Sequence, residues 1–136
     1  MEVLLVHPGG PFWVNKDAGA WSIPKGEVTP DEDLLDAARR EFAEELGFEA
    51  RGEFRPLGMI KQKAGKLVHA WAFEGDCDPS QCKSNTYNVE WPPKSGKWKA
   101  FPEVDQAEFF GMDVAREKIN SGQVPFLDRL SDLLGR

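Results

Sequence analysis

The sequence predicts an α+β domain with helices and strands intermixed around one mixed sheet, and three observations predict it. Residues 2 to 6, Glu-Val-Leu-Leu-Val, are a short apolar run stopped by His7-Pro8-Gly9-Gly10-Pro11, the pattern of a buried strand ending in a turn. Leu34, Leu35, Ala38, Phe42 and Leu46 recur at three- and four-residue spacing, the stripe of a helix fixed on one side against a core. Residues 54–62 and 67–73 are extended stretches on either side of Lys63-Ala64-Gly65-Lys66, which makes them a hairpin. At 136 residues the chain is expected to be one domain, 1–136, large enough to bury a core.

The remaining elements follow in order. Trp21-Ser22-Ile23 is a second brief extended segment, after which Pro24 and Gly26 break the chain. Two starts are open for the helix. Thr29-Pro30-x-Glu32 is a capping box with proline at the first helical position, and Asp33 with Asp36 is a weaker cap. From Thr29, Glu32 would point about 180° away from Glu41; from Asp33, it stays in the loop. Gly47, able to take positive φ, ends the helix. Residues 74–100, with Asp76, Pro79, Trp91-Pro92-Pro93 and Gly96, read as a loop long enough to carry function. Residues 107–110 read as a last strand. Helices are expected at 113–120, ended by Gly122, and at 125–134, where Phe126, Leu127, Leu130, Leu133 and Leu134 form an apolar face. The chain has no internal repeat and no low-complexity segment.

Composition excludes several classes. Apolar residues at 40% and charged residues at 29% describe an ordinary globular protein, and no apolar run approaches the 18 or so residues of a membrane span. A net charge of −6 disfavours a nucleic-acid or anionic-membrane surface, while leaving room for one phosphorylated small molecule held through a metal. The start lacks the basic residues and cleavage site of a secretory signal, so a cytoplasmic protein is expected. Cys77 and Cys82 have no third sulfur or histidine beside them for a zinc site, and free thiols are expected in that compartment.

The charge pattern of the first helix carries the chemistry. Glu41, Glu44 and Glu45 lie at about 0°, 300° and 40° around its axis, so three carboxylates crowd one side within a turn. Such repulsion costs a few tenths of a kcal/mol per pair on a free helix, about as much as an opposite-charge pair would contribute. Oxygen ligands at that density suit a hard divalent ion, Mg²⁺ or Mn²⁺, better than zinc. The simplest alternative is a solvated acidic face.

Gly26-x5-Glu32-x7-Arg40-Glu41-Phe42-x-Glu44-Glu45-x-Gly47-Phe48 resembles the Nudix box, Gly-x5-Glu-x7-Arg-Glu-U-x-Glu-Glu-x-Gly-U with U bulky and apolar, at every fixed position. At roughly 7% per residue type, a chance match is on the order of one in ten million. The resemblance implies the Nudix fold, an α/β/α sandwich around a mixed sheet, and places the helix start at Asp33, with Glu32 in a salt bridge to Arg40. Nudix proteins usually have one more strand before the one at residues 2 to 6. The resemblance thus implies a sheet without it, a gap covered by the C-terminal part or by a second copy in a homodimer, or a natural start upstream. Ser84-Asn85-Thr86, Glu90-Trp91-Pro92-Pro93, Phe101-Pro102-Glu103-Val104-Asp105 and Gln123-x-Pro125-Phe126 are similar to a bacterial Nudix subgroup described as predicted nucleoside triphosphate pyrophosphohydrolases.

What the resemblance implies for activity is Mg²⁺-dependent hydrolysis, Mn²⁺ serving as substitute, of a pyrophosphate bond in a nucleoside diphosphate linked to another moiety. The ligands it implies are Glu41, Glu44 and Glu45 with a backbone carbonyl at Gly26; Glu32 and Arg40 orient them. In many Nudix proteins a glutamate outside the box is an extra ligand or base, and Glu103 is the first candidate here, Glu90 the second. Lys25 is placed to meet a substrate phosphate, and Trp91, beside Pro92-Pro93, to stack on a base. The other tryptophans are expected mostly in the core, and His7 and His69 are expected to be structural. The partner is a phosphorylated small molecule of the nucleotide class, with neither nucleic acid nor membrane. The alternative from another class is a Nudix-fold module that binds a nucleotide without hydrolysing it.

Overall fold

The computed structural model describes residues 1–25, 31–62 and 65–135. The first strand, β1 (Glu2–Pro8), pairs antiparallel with the last, β6 (Val104–Gly111), in a register that matches Leu5 with Glu108 and Val6 with Ala107. The register shifts between His7 and Pro8, where proline has no amide to give the ladder. On the far edge of β1, Val6 and Ser22 exchange both backbone hydrogen bonds at 2.9 Å, and Trp21 continues in parallel to Ile119. The expected strand at Trp21-Ser22-Ile23 is thus a short bridge, and it is what gives this layer both pairing senses.

Alternation along β1 fills a core on each side of that layer. Leu4 and Val6 join Phe42, Leu46, Val104 and Ala107 under helix α1 (Leu34–Leu46). Val3 and Leu5 point the other way, to Trp21, Phe110, Ala115, Ile119 and Leu127 beneath α2 (Met112–Lys118) and α3 (Val124–Leu133). This is helix, sheet, helix in three layers, the α+β arrangement expected.

The predicted hairpin is β2 (Arg55–Lys61) and β3 (Leu67–Ala72), with Lys63 and Ala64 of its turn outside the described residues. Val68 and Ala70 of β3 are buried on Phe126, leaving His69 and Trp71 on the opposite face. The ladder slips between Pro56 and Gly58, and the Arg129 guanidinium bridges the bulge by donating to the carbonyls of Leu57 and Met59.

Residues 74–100 are corrected from a loop to a second hairpin. Within them lie β4 (Thr86–Glu90) and most of β5 (Trp98–Pro102), paired from Thr86 opposite Pro102 to Glu90 opposite Trp98. No residue of either strand is buried, so the apolar alternation that reveals a half-buried strand is missing. Only Trp21 of the five tryptophans is buried, and Trp98 is 66% exposed, which corrects the expectation of a mostly core role. Cys77 and Cys82 are free thiols. Among the described residues no helix is long and apolar enough to cross a membrane.

Candidate active site

Helix α1 begins where Asp33 caps it: the Asp33 carboxylate accepts from the amides of Leu35 and Asp36 at 3.2 and 3.3 Å. Thr29 and Pro30, the competing start, lie outside the described residues, as does Gly26 with its candidate carbonyl ligand. The helix ends at Gly47, with φ 75°. Its buried side carries Ala37, Glu41 and Glu45, each four residues after the last, and Leu46 beside them. The two glutamates therefore sit at the edge of the core and not on an outward face, and Leu34, expected in the apolar stripe, is 38% exposed.

With the helix starting at Leu34, Glu32 stays in the preceding loop and meets Arg40 side-on. Arg40 Nε donates to Glu32 Oε2 at 2.8 Å and Nη2 to Oε1 at 2.9 Å, a two-pronged pair. The same guanidinium turns Nη1 to Glu41 Oε1 at 2.8 Å and to Glu44 at 3.1 and 3.2 Å. These bonds, that to Glu32 foremost, raise the Arg40 pKa, and among the described residues its guanidinium faces the carboxylates of Glu32, Glu41 and Glu44.

Glu45 is held differently. Its Oε2 accepts from the Lys25 amide at 2.9 Å, and burial pushes its pKa up to about 8. The Lys25 hydrogen bond opposes that rise, and the negative charges of Glu41 and Glu103 add to it. Lys25 is delivered by the segment that leaves Trp21: the Gln123 side chain, fully buried, accepts from Ile23 N at 3.0 Å and donates to Ser22 Oγ at 3.1 Å. The Lys25 ammonium is half-buried, which lowers its pKa; Lys66 nearby lowers it further and Glu45 opposes.

Glu103, at the corner between β5 and β6, is coupled to this group electrostatically. Burial raises its pKa, and the charges of Glu41 and Glu44 raise it more, so the four carboxylates feel one another across the two segments. Glu90 does not join them, because its carboxylate caps the turn of the hairpin by accepting from Lys94 N at 2.9 Å. Beside Glu41 opens a small cleft of about 70 Å³, walled by Lys25, Ala38, Lys66, His69 and Trp71. Trp91 is not among the described residues that line it and packs edge-on against Phe12 with ring centres 5.6 Å apart. Trp71 is the indole at the cleft. The alternation on β3 could have found it, since Val68 and Ala70 inward leave Trp71 with His69 on the other face. His69 lines the cleft, whereas His7 is buried with Nδ1 2.8 Å from Asp105 and Nε2 2.6 Å from the Lys16 carbonyl. The wider groove of about 850 Å³ across β1 and β6 is a separate feature whose acids are engaged, Asp105 with His7, Asp17 with Lys118 and Trp21, and Glu108 with the Gln106 side-chain amide.

The donor set suits a hard divalent cation. A buried carboxylate driven toward its neutral form, with two more anions beside it, is what a bound cation would restore to charge. Among the described residues, however, no three acidic, histidine or cysteine side chains already converge on one point, and Arg40 occupies Glu41 and Glu44. Glu41, Glu44, Glu45 and Glu103 are the residues that could hold such an ion.

Comparison with known proteins is consistent with this geometry. A family model described as the NUDIX domain matches residues 1–130. The solution structure of the E. coli ORF135 protein is similar over 98% of this chain and 81% of that one, at 25% identity and a TM-score of 0.59. The crystal structure of a C. elegans Ap4A hydrolase binary complex is similar over 98% of this chain and 87% of that one, at 20% identity and a TM-score of 0.60, a likeness of fold.

Proposed function

As this chain belongs to the NUDIX domain family, we propose that it is a pyrophosphohydrolase that cleaves a phosphoanhydride bond in a nucleoside diphosphate linked to another moiety, using Mg²⁺ or Mn²⁺. The observation that carries the reading is Glu41, which lines a cleft together with Lys25 and Lys66, shares Arg40 with Glu44, and feels Glu45 and Glu103 electrostatically. A divalent cation bound there would neutralise phosphate oxygens and lower the pKa of a water. Glu45 and Glu41 are its principal holders, with Glu44 beside them and Glu103 as an extra ligand or the base. Arg40, braced by Glu32, keeps Glu41 and Glu44 in place and offsets their repulsion. The Lys25 and Lys66 ammonium groups meet phosphate oxygens left outside the cation's reach, and Trp71 offers a face to a base.

The test is a panel of nucleoside triphosphates, nucleotide sugars, ADP-ribose and dinucleoside polyphosphates, followed by product analysis with Mg²⁺ and with Mn²⁺. At least one member should be cleaved between phosphorus and a bridging oxygen, and the activity should vanish with chelator. No product from any member would overturn the reading.

A second reading, a nucleotide-binding module without hydrolysis, draws on the engagement of Glu41 and Glu44 by Arg40. It predicts that nucleotides raise the melting temperature while no product forms.

A further inference from the structure

Glu103 comes from a segment far in sequence from α1, and a continuous run of hydrogen bonds sets where it stands. The Asn85 amide donates to the Glu44 carbonyl at 2.9 Å, on the last turn of α1. The Glu103 amide donates to the Asn85 carbonyl at 2.8 Å, and the Gly9 amide donates to the Glu103 carbonyl at 3.0 Å. The run ends at a side chain: the Tyr87 hydroxyl donates to the Gly9 carbonyl at 2.7 Å. Glu103 is thus gripped on both sides of its backbone, by Asn85 toward the helix and by Gly9 toward β1.

The packing around this run leaves no slack. A Cβ on Gly9 would lie 2.1 Å from the Pro102 carbonyl oxygen, and one on Gly10, at φ 103°, would lie 2.0 Å from the Tyr87 hydroxyl. Only glycines let the turn after β1 press against the β5–β6 corner closely enough for these bonds to form. Neither the Gly9-Gly10 pair nor Tyr87, the only tyrosine, has another role in the proposed chemistry.

We propose that Tyr87 is a positioning residue for catalysis: by fixing the Gly9 carbonyl it holds the Gly9 amide on Glu103, and so holds the Glu103 carboxylate in register with Glu44 and Glu45. The inference rests on the pyrophosphohydrolase reading and on a part for Glu103 in it. Misplacement of a reacting group by about 1 Å can cost up to about a hundredfold in rate. Loss of one hydroxyl from a run otherwise intact should cost about tenfold.

Two measurements on the full chain decide it. In Tyr87→Phe with Mg²⁺, kcat should fall about tenfold with KM within twofold, and in a Glu103→Gln background the same change should cost less than twofold, since the two act as one unit. Losses that multiply, or an unchanged kcat, would overturn the proposal. Amide hydrogen exchange without substrate is independent of turnover: Tyr87→Phe should speed exchange at Gly9 and Glu103 and leave the middle of α1 as it was. Unchanged protection at Gly9 and Glu103 overturns the clamp whatever the activity does. If Glu103→Gln matches the wild type, the role given to Glu103 fails, and the exchange data alone judge the clamp.

Discussion

Two segments bring carboxylates within one another's electrostatic reach by opposite routes. Helix α1 supplies Glu41, Glu44 and Glu45 from five consecutive residues, and its own turn geometry sets their spacing. Glu103 arrives through residues 82–103, whose hold on α1 is entirely non-local. There the Lys83 amide donates to the Leu46 carbonyl at 3.0 Å, the Asn85 amide to that of Glu44 at 2.9 Å, and Cys82 Sγ lies 3.5 Å from that of Glu45. These are carbonyls that a helix end leaves without partners, so the segment caps the helix and takes its own position from it. A site built this way has one part that is stiff by construction and one that is only as well placed as its long-range contacts.

The sharpest way to break that picture is to neutralise one carboxylate in each part. Glu45→Gln or Glu41→Gln should lower turnover at least about 10²-fold with the fold intact, if the cation they hold supplies several kcal/mol in the transition state. Glu103→Gln should cost on the order of tenfold to a hundredfold, as an auxiliary group. Steady-state kinetics on the best substrate of the panel, beside melting curves, would settle the order. A larger loss for Glu103→Gln would make the corner, and not the helix, the centre of the chemistry.

Next in size is the brace behind the helix. Glu32→Gln removes the charge that aligns Arg40 and should weaken Mn²⁺ binding about tenfold, in the range expected when a group behind a metal ligand is lost. Mn²⁺ titration followed by electron paramagnetic resonance would show it. Unaltered affinity would reduce the pair to a surface contact of small worth.

The difference between the two parts also explains what the sequence could reveal. The face of α1 follows from periodicity, and Gly47 marks its end. Its start was ambiguous by local rules, because Thr29-Pro30 offers the better box; resemblance chose Asp33, and Asp33 is the cap observed. The placement of Glu103 was beyond any local rule. Strands β4 and β5 bury nothing fully, so their alternation is invisible, and the prolines and glycine between them read as loop. Trp91, beside two prolines, reads as a stacking residue on a loop, whereas in the structure it packs edge-on against Phe12. Trp71 was within reach of a local rule, since the alternation on β3 sets it with His69 opposite Val68 and Ala70, and Phe126, more than fifty residues away, shows which of the two faces is inward.

Gly47 is where the two parts meet, so it tests them together. Its φ of 75° is costly for a residue with a side chain, by about 1 kcal/mol, and a Cβ would stand 3.0 Å from the Lys83 carbonyl oxygen. Gly47→Ala should lower stability by about 1 to 2 kcal/mol in urea unfolding, with an unchanged slope. Because the strain falls on the segment that caps α1, the same variant should lose activity beyond what its stability implies. Normal activity in the folded fraction would show that residues 82–85 tolerate displacement and that the helix alone defines the site.

The smallest effect belongs to an ion pair outside both parts and serves as the control. Asp17 is held below the ordinary carboxylate range by hydrogen bonds from Lys118, first, and from the Trp21 indole. A carboxylate with a depressed folded pKa contributes stability above its unfolded value, near 3.8, and loses it as pH falls through the folded one. The pair is exposed, so the contribution is small, and Asp17→Asn should flatten the acid side of the stability profile only slightly. It should leave Mn²⁺ affinity and kcat at pH 7 unchanged, because Asp17 touches Trp21 and Lys118 on the face of the sheet away from α1. If instead both move, Trp21 transmits strain through Ser22 and Gln123 to Lys25, and the stiffness credited to the helix is shared with the sheet beneath it.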